Sequence, residues 1–228
     1  MKKYGKVLDH NSIPLLLTLA IGIVLSFLAA VAVQGWEHDR IQLAFEQDAQ
    51  NRIALLQREL QYHTDEIHAL GSLYKSSNEV DRHEFHTFVG NILQESSGIQ
   101  ALEWVPRINS EKLEGYLEAM RSDLPAFQIT ERAATQAEMV TVSARPVYYP
   151  VTYIEPYTGN EAALGFDLGS SPARLEALHK ARDSGKLVAS GRLRLVQDTD
   201  EQAGVVFILP VYRNNLPADT LEQRRENL

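Results

Sequence analysis

The chain contains no cysteine among its 228 residues. This absence excludes disulfide-stapled scaffolds, thiolate metal sites and a cysteine nucleophile. It also suits a compartment in which stray thiols would be oxidised. A chain of this length can still bury a sizeable core without covalent cross-links.

An excess of basic residues is missing too. Lys and Arg number 22 against 30 Asp and Glu, which gives a formal net charge of -8 at pH 7. The sequence has no basic stripe of the kind that a nucleic-acid partner requires. We therefore predict that the chain does not bind nucleic acid.

Signatures of catalysis and of metal binding are lacking as well. The sequence holds no serine elbow, zinc motif or phosphate loop. His83 and His86 stand three residues apart, but no third metal ligand is near them in the sequence. Glu103 and Glu155 are conceivable as an acid/base pair, although nothing in the sequence brings them together. We predict no catalytic residue, no metal and no cofactor, and keep a membrane-tethered periplasmic enzyme as an alternative.

Residues 13–33 form a long stretch without charge, IPLLLTLAIGIVLSFLAAVAV. Its length matches the roughly 20 residues that span a bilayer core, so the sequence predicts a transmembrane helix. Lys2, Lys3 and Lys6 precede it, and positive residues stay cytoplasmic. Residues 1–12 are therefore predicted to be a cytoplasmic tail, and the bulk of the chain to lie outside the cytoplasm on the inner membrane. A cleaved signal peptide is the alternative, because residues 30–32 resemble a cleavage site, but a signal core is usually only about 7–15 residues long.

Proline is absent from residue 36 to residue 74, which predicts a helical stalk over residues 34–76. Residues with alternating spacings of four and three form a seam with one polar position: Ala49, Ile53, Leu56, Leu60, His63, Ile67, Leu70 and Tyr74. Such a heptad seam pairs with its copy in a homodimer, or it packs along the following domain. Both alternatives stay open for its second half, whereas the half beside the membrane is the better dimer segment. A purely structural dimerising stalk is a further alternative for the function of the chain.

Beyond the stalk the pattern changes to short elements. The stretch SSNEVDRHEFHTFVGNIL predicts a helix with Asp81 as its N-cap and Glu84 at the capping-box position. Short apolar runs separated by turns follow, with a helix among them that begins at Ser171 and Pro172. Helices first, then strands with one intervening helix, predict an α+β domain built on an antiparallel sheet.

The predicted strand TVSARPVYYPVTYI carries two prolines. Because proline cannot donate to a ladder, the prolines confine this strand to an edge or a bulge at those points. Tyr149, Val151 and Tyr153 alternate along it, which predicts that the three side chains share one face of the core.

Asp167 is a lone carboxylate after five nearly apolar residues in the stretch EAALGFDLGS. It lies four residues before Ser171, which already serves as the predicted cap of the next helix. Burying a carboxylate costs several kcal/mol unless a cation or a hydrogen-bond donor compensates its charge. The partner is either a ligand or an arginine of the protein, and Arg174, Arg192 and Arg194 are near in sequence.

Five blocks of the sequence resemble the CHASE family, the extracytoplasmic sensory domain of many histidine kinases, diguanylate cyclases and adenylate cyclases. The blocks are ALEWVPRI, YYPVTYIEP, ALGFDLGSSPARLEAL, LRLVQ and FILPVY, within residues 80–228. The resemblance implies a long helix leading into PAS-like α+β subdomains, of which the membrane-distal one holds a ligand pocket. It also implies that the signal passes through the membrane helix to a cytoplasmic output domain, which is absent from this chain.

The resemblance also implies the pocket residues. In the plant cytokinin receptors of this family, the pocket has an aspartate in a strand just before a helix and a hydroxyl residue on the next strand. Asp167 and Ser190 match these positions, and Tyr148 matches a third, aromatic position beside the pocket. A carboxylate and a hydroxyl would hydrogen-bond a small molecule whose apolar body is covered by aromatic walls.

The implied domain order departs from the family at its end. Residues 77–213 correspond to the membrane-distal PAS-like part, and residues 214–228, which include TLEQRRENL, resemble the connector to a proximal part that is missing here. We therefore predict the input module of a membrane receptor. Its expected partners are a small-molecule ligand, the membrane and a second copy of the chain.

Overall fold

The computed structural model describes residues 12–96, 98–133, 138–196 and 203–228. The predicted cytoplasmic tail, apart from its last residue, lies outside these ranges. The chain divides between Glu59 and Leu60 into two compact units.

Helix α1 extends from Ser12 to Ser76. Up to Glu59 its described side chains are almost all exposed, including large apolar ones such as Leu17 and Phe27. Among the residues that the structure describes, no helix is both long and apolar enough to cross a membrane. The transmembrane helix predicted over residues 13–33 is therefore not confirmed.

The second unit is a mixture of helices and short strands. Its further helices are α2 (Arg82–Glu95), α3 (Leu113–Asp123), α4 (Pro172–Ser184) and α5 (Leu221–Glu226). Its strands are β1 (Leu102–Trp104), β2 (Ile108–Asn109), β3 (Thr130–Arg132), β4 (Met139–Thr141), β5 (Val147–Tyr148), β6 (Tyr153–Glu155), β7 (Val188–Ala189), β8 (Leu193–Arg194), β9 (Ala203–Gly204) and β10 (Phe207–Ile208).

These elements confirm the predicted α+β class. The pairs β1–β6, β2–β5, β3–β4, β7–β10 and β8–β9 are all antiparallel. They form small two-stranded sheets, so the PAS-like form of the domain is not confirmed.

Helix α2 begins with the predicted capping box. The Asp81 carboxylate accepts a hydrogen bond from the Glu84 backbone N–H at 2.8 Å, and the Glu84 carboxylate accepts one from the Asp81 N–H at 3.2 Å. Helix α4 begins with Pro172 as its first residue, as predicted, but the Ser171 side chain makes no capping hydrogen bond.

The last turns of α1 pack against the domain that follows. Ile67, Leu70 and Tyr74 belong to a hydrophobic cluster centred on Phe85 and Val89 of α2. The ring of Tyr74 also stacks on Trp104 of β1, with centroids 3.6 Å apart and planes 10° from parallel. The second half of the heptad seam is thus a packing face within the second unit.

Two of the strand pairs lie one after the other along the same two stretches of chain, 102–109 and 147–155. Trp104 lies opposite Tyr153, and Ile108 lies opposite Tyr148. Residues 105–107 separate these pairs on one strand and residues 149–152 on the other, so the second strand carries a one-residue bulge. Pro150 lies in this bulge, which agrees with the positions open to proline in a sheet.

The bulge makes one sequence prediction wrong. Tyr149 and Val151 pack in a cluster with Phe166, whereas Tyr153 packs in the other cluster, against Phe85. The inserted residue interrupts the period of two, so the three side chains cannot share a face.

The bulged segment has a second neighbour on its other side. The Val151 N–H donates to the Phe166 carbonyl at 3.0 Å, and the Leu168 N–H donates to the Tyr149 carbonyl at 2.9 Å. The Asp167 N–H donates to the Thr130 carbonyl at 2.8 Å. Asp167 therefore lies in the interior of the domain, between the bulge and β3.

Candidate functional site

Asp167 is fully buried, with 0% of its surface exposed. Its Oδ1 accepts hydrogen bonds from the Tyr149 N–H at 2.7 Å and from the Gly169 N–H at 3.0 Å. The second bond caps a single 3₁₀ turn, Leu168–Ser170. The sequence correctly excludes Asp167 as the cap of α4, but it does not reveal this shorter turn.

The cation that faces Asp167 is Arg145. Its Nη1 lies 3.0 Å from Oδ2 of Asp167, and its Nη2 contacts Glu131. Oδ2 has no well-aligned hydrogen bond among the described residues, so the contact is an ion pair without good hydrogen-bond geometry. Arg145 keeps 22% of its side-chain surface exposed, so it lies between the buried carboxylate of Asp167 and the solvent.

Neither Arg174 nor Arg192 is an observed partner of Asp167. Arg174 is buried with its guanidinium over the ring of Phe166, 5.2 Å from the centroid. Arg192 is exposed. The side chain of Arg194 lies outside what the structure describes.

The two carboxylates around Arg145 differ in their electrostatics. Burial raises the pKa of Asp167, although the two backbone amides and Arg145 act in the opposite direction. The pKa of Glu131 is lowered, because hydrogen bonds from Ser143 and the charge of Arg145 outweigh its desolvation. Asp167 is thus the member of the cluster whose negative charge depends most on a nearby cation.

The structure brings Tyr148 close to this cluster. Tyr148 is buried, and its hydroxyl accepts a hydrogen bond from the Arg145 backbone N–H at 3.0 Å. Arg145 therefore contacts both Tyr148 and Asp167, one through its backbone and the other through its guanidinium.

Ser190 has different partners. Its hydroxyl accepts from the Val206 N–H at 3.0 Å and donates to the Gly191 carbonyl at 2.8 Å. Both bonds lie within the β7–β10 region, and no described hydrogen bond joins Ser190 to Asp167 or Tyr148.

A separate cavity of about 1100 Å³ lies in the second unit. Its main walls are residues 60–74 of α1, the segment 98–107 along β1, part of α4 and the segment 204–215. Tyr149 and Leu168, which neighbour the Asp167 cluster, also line it. Asp167, Ser190 and Tyr148 are not among its described lining residues. Sequence reasoning missed this cavity because its walls come from four distant segments. The seam residues of α1 were the only local signal.

Glu103 in this cavity wall has an unusual environment. It is partly buried, and burial raises its pKa to about 7, against a smaller opposing effect of Arg174. Glu103 pairs with Ile154 and Glu155 pairs with Leu102, so the two acids point to opposite faces of the ladder. Glu155 contacts His86 instead, at 2.8 Å. The two carboxylates therefore do not converge as an acid/base pair.

Comparison with known proteins gives two findings. The model of the CHASE domain family matches residues 78–228. A hybrid signal transduction histidine kinase A of Dictyostelium discoideum is 24% identical over 219 residues, which cover 91% of this chain. The chain spans 10% of the length of that relative.

Proposed function

The chain belongs to the CHASE domain family, and from this premise we propose that it is the ligand-sensing input of a membrane receptor that signals to a cytoplasmic output domain. The family match over residues 78–228 carries this proposal, because CHASE domains are sensory modules of signalling receptors. The kinase name of the Dictyostelium relative agrees with a signalling role. The family is sensory rather than catalytic, and Glu103 and Glu155 point apart, which disfavours the alternative of a tethered enzyme.

We place the sensed molecule at Asp167 and Tyr148, with Ser190 contributing a hydroxyl. Oδ2 of Asp167 lacks an aligned hydrogen bond, and Arg145 is partly exposed beside it. A small molecule with an N–H or O–H donor would bond to Oδ2, while Arg145 would remain paired with Glu131. Ligand binding would in this way exchange one partner of the buried carboxylate for another.

Native mass spectrometry of the gently purified full chain tests this site. We expect a small molecule to accompany the wild-type protein and to be lost from Asp167→Asn, which keeps the shape but removes the charge. Asp123→Asn, at an exposed aspartate of α3, is the matched control and should retain the molecule. Binding to the native state also raises the melting temperature, which gives an independent readout.

Two results would contradict the proposal in different ways. If the molecule is retained by Asp167→Asn, sensing occurs elsewhere in the domain. If a metabolite screen finds neither a bound molecule nor a thermal shift, the purely structural stalk is favoured. Formation of a product from a bound molecule would favour the enzyme.

We further propose that residues 13–33 anchor the chain in the inner membrane and that α1 pairs with its copy beside the anchor. The uncharged run and the preceding lysines support the anchor. Large apolar side chains between residues 36 and 60 are exposed, among them Trp36, Phe45 and Leu56, and these support a helix pair. The signal would pass as a small shift or rotation of the paired helices.

Single cysteines along residues 36–60 test both claims, because the chain has no cysteine of its own. Crosslinking in intact cells should peak with helical periodicity on the side of Ile53, Leu56 and Leu60. A membrane-impermeant thiol reagent should label the same cysteines from outside the cytoplasm. Crosslinking without helical periodicity would contradict the proposed helix pair. Labelling only after lysis would show that residues 36–60 face the cytoplasm, which contradicts the proposed topology.

A further inference from the structure

We propose that the cavity beside β1 is a second ligand site, which binds a small carboxylic acid with an apolar body through Arg107. The proposal does not depend on the Asp167 cluster, since none of the three predicted pocket residues is among those described as lining this cavity.

The environment of Arg107 is the main support for an anion site in this cavity. It lines the cavity, and its Nε is buried without a hydrogen-bond partner among the described residues. No described carboxylate lies within ion-pair distance of its guanidinium, although most buried polar groups in proteins are paired. Arg107 as a whole is partly buried, and a planar carboxylate is the anion that the donor geometry of its guanidinium fits best.

The surroundings of Arg107 at the end of α4 are positively charged. Arg182 also lines the cavity, but its Nε is held by Asp183 at 2.7 Å. Asp183 is shared with Arg225, whose Nη2 lies 2.6 Å from it. The pKa of His179 is lowered, first by burial and then by Arg182, with Arg107 and Arg225 acting in the same direction. An anion beside Arg107 would therefore be attracted by the neighbouring arginines, although Glu79 and Glu103 line other parts of the cavity.

The remaining walls suit an apolar body. The stacked rings of Tyr74 and Trp104 line the cavity together with aliphatic residues such as Leu178 and Val206. A volume of about 1100 Å³ lies just above the typical range of ligand pockets, about 300–1000 Å³, so a small acid would share the space with water.

Glu103 limits where the acid group can lie. It also lines the cavity, and an ionised Glu103 would repel a bound carboxylate. The acid group is therefore expected at Arg107, with the apolar body of the ligand toward Glu103.

Trp104 offers a direct readout of binding. The chain has two tryptophans, so in a Trp36→Phe background the emission of the full chain reports on Trp104 in the cavity wall. The probes are benzoate, phenylacetate and 3-phenylpropionate, each beside its uncharged amide. We expect a saturable change with at least one acid, and affinity at least tenfold weaker for its amide, since one charged hydrogen bond is lost.

Variants of Arg107 complete the test. Arg107→Gln should weaken the affinity for the acid by about 10- to 100-fold and leave the affinity for the amide unchanged. Arg107→Lys keeps the charge, so its affinity for the acid should fall less. Arg192→Gln removes the same charge from an exposed arginine outside the cavity and should have no effect. The melting temperature without a probe shows whether each variant is folded. If Arg107→Gln is poorly folded, the acid-to-amide ratio of the parent chain and the lysine variant decide.

Three results would overturn the proposal. The first is the absence of a saturable change with all three acids. The second is equal affinity for an acid and its amide. The third is an equal loss of affinity for the acid in Arg107→Gln and Arg192→Gln, which would show only non-specific attraction between charges.

Discussion

Replacing Arg145 with glutamine should lower the free energy of unfolding by about 3–5 kcal/mol at pH 8, the cost of breaking a buried ion pair from one side. The substitution leaves Asp167 fully buried and charged, with Glu131 as a second carboxylate nearby. Two backbone amides still bond Oδ1, but they do not replace the positive charge at Oδ2.

The pH dependence of this loss follows from the raised pKa of Asp167. In the folded protein Asp167 takes up a proton more readily than in the unfolded chain, and more so without Arg145. The charge is removed as the pH falls through this raised pKa, so the loss in Arg145→Gln should shrink as the pH is lowered. Urea unfolding at pH 8 and at lower pH measures the difference.

A double variant provides the control. Arg145→Gln combined with Asp167→Asn removes both charges, so it should be clearly more stable than Arg145→Gln alone at pH 8. Arg192→Gln, at an exposed arginine, is the matched single change and should be nearly neutral. A loss below about 1 kcal/mol in Arg145→Gln, which is typical of exposed pairs, would show that the ion pair contributes little.

Glutamine in place of Glu103 should stabilise the protein at pH 8. The pKa of Glu103 is raised from 4.5 to about 7, mainly by burial, so the folded state favours the protonated carboxyl. Ionisation therefore costs stability as the pH rises from about 4.5 to 7, and above 7 the cost is complete. The difference corresponds to about 3 kcal/mol, as an upper value because Glu103 keeps some solvent exposure.

Unfolding of Glu103→Gln and wild type at pH 5 and pH 8 tests this expectation. The variant should be the more stable protein at pH 8, and the difference should fall to about a quarter of that value at pH 5. Glu118→Gln, on the exposed face of α3, is the matched control. Equal stability of Glu103→Gln and wild type at both pH values would mean that the carboxyl is well solvated or paired.

Local signals in the sequence were sufficient for the helix starts. The capping box of Asp81 and Glu84 depends on residues three apart, and Pro172 at the start of α4 depends on its own fixed φ. The sequence also indicated that Asp167 needs a partner, because a carboxylate that is buried after an apolar run requires a cation or a hydrogen-bond donor beside it.

The identity of that partner was not predictable from nearby residues. Arg145 precedes Asp167 by 22 positions, and the two are brought together by pairing of the bulged segment with residues 165–168. The cavity is still less visible in the sequence, since it arises from the packing of four segments. The role of Ser190 in the pocket stays a prediction from the resemblance, and its observed hydrogen bonds lie within the β7–β10 region.

The bulge between Tyr148 and Tyr153 also determines which changes in chain length this part of the protein can accept. Residues 148–152 are all buried, so the segment has no exposed position where a residue could be added or removed cheaply. Deleting one residue from the stretch 149–152 would make it equal in length to residues 105–107 and erase the bulge. The Tyr149 N–H would then no longer be positioned to donate to Asp167. The number of residues in this segment is therefore as much a requirement for the Asp167 cluster as their chemical identity.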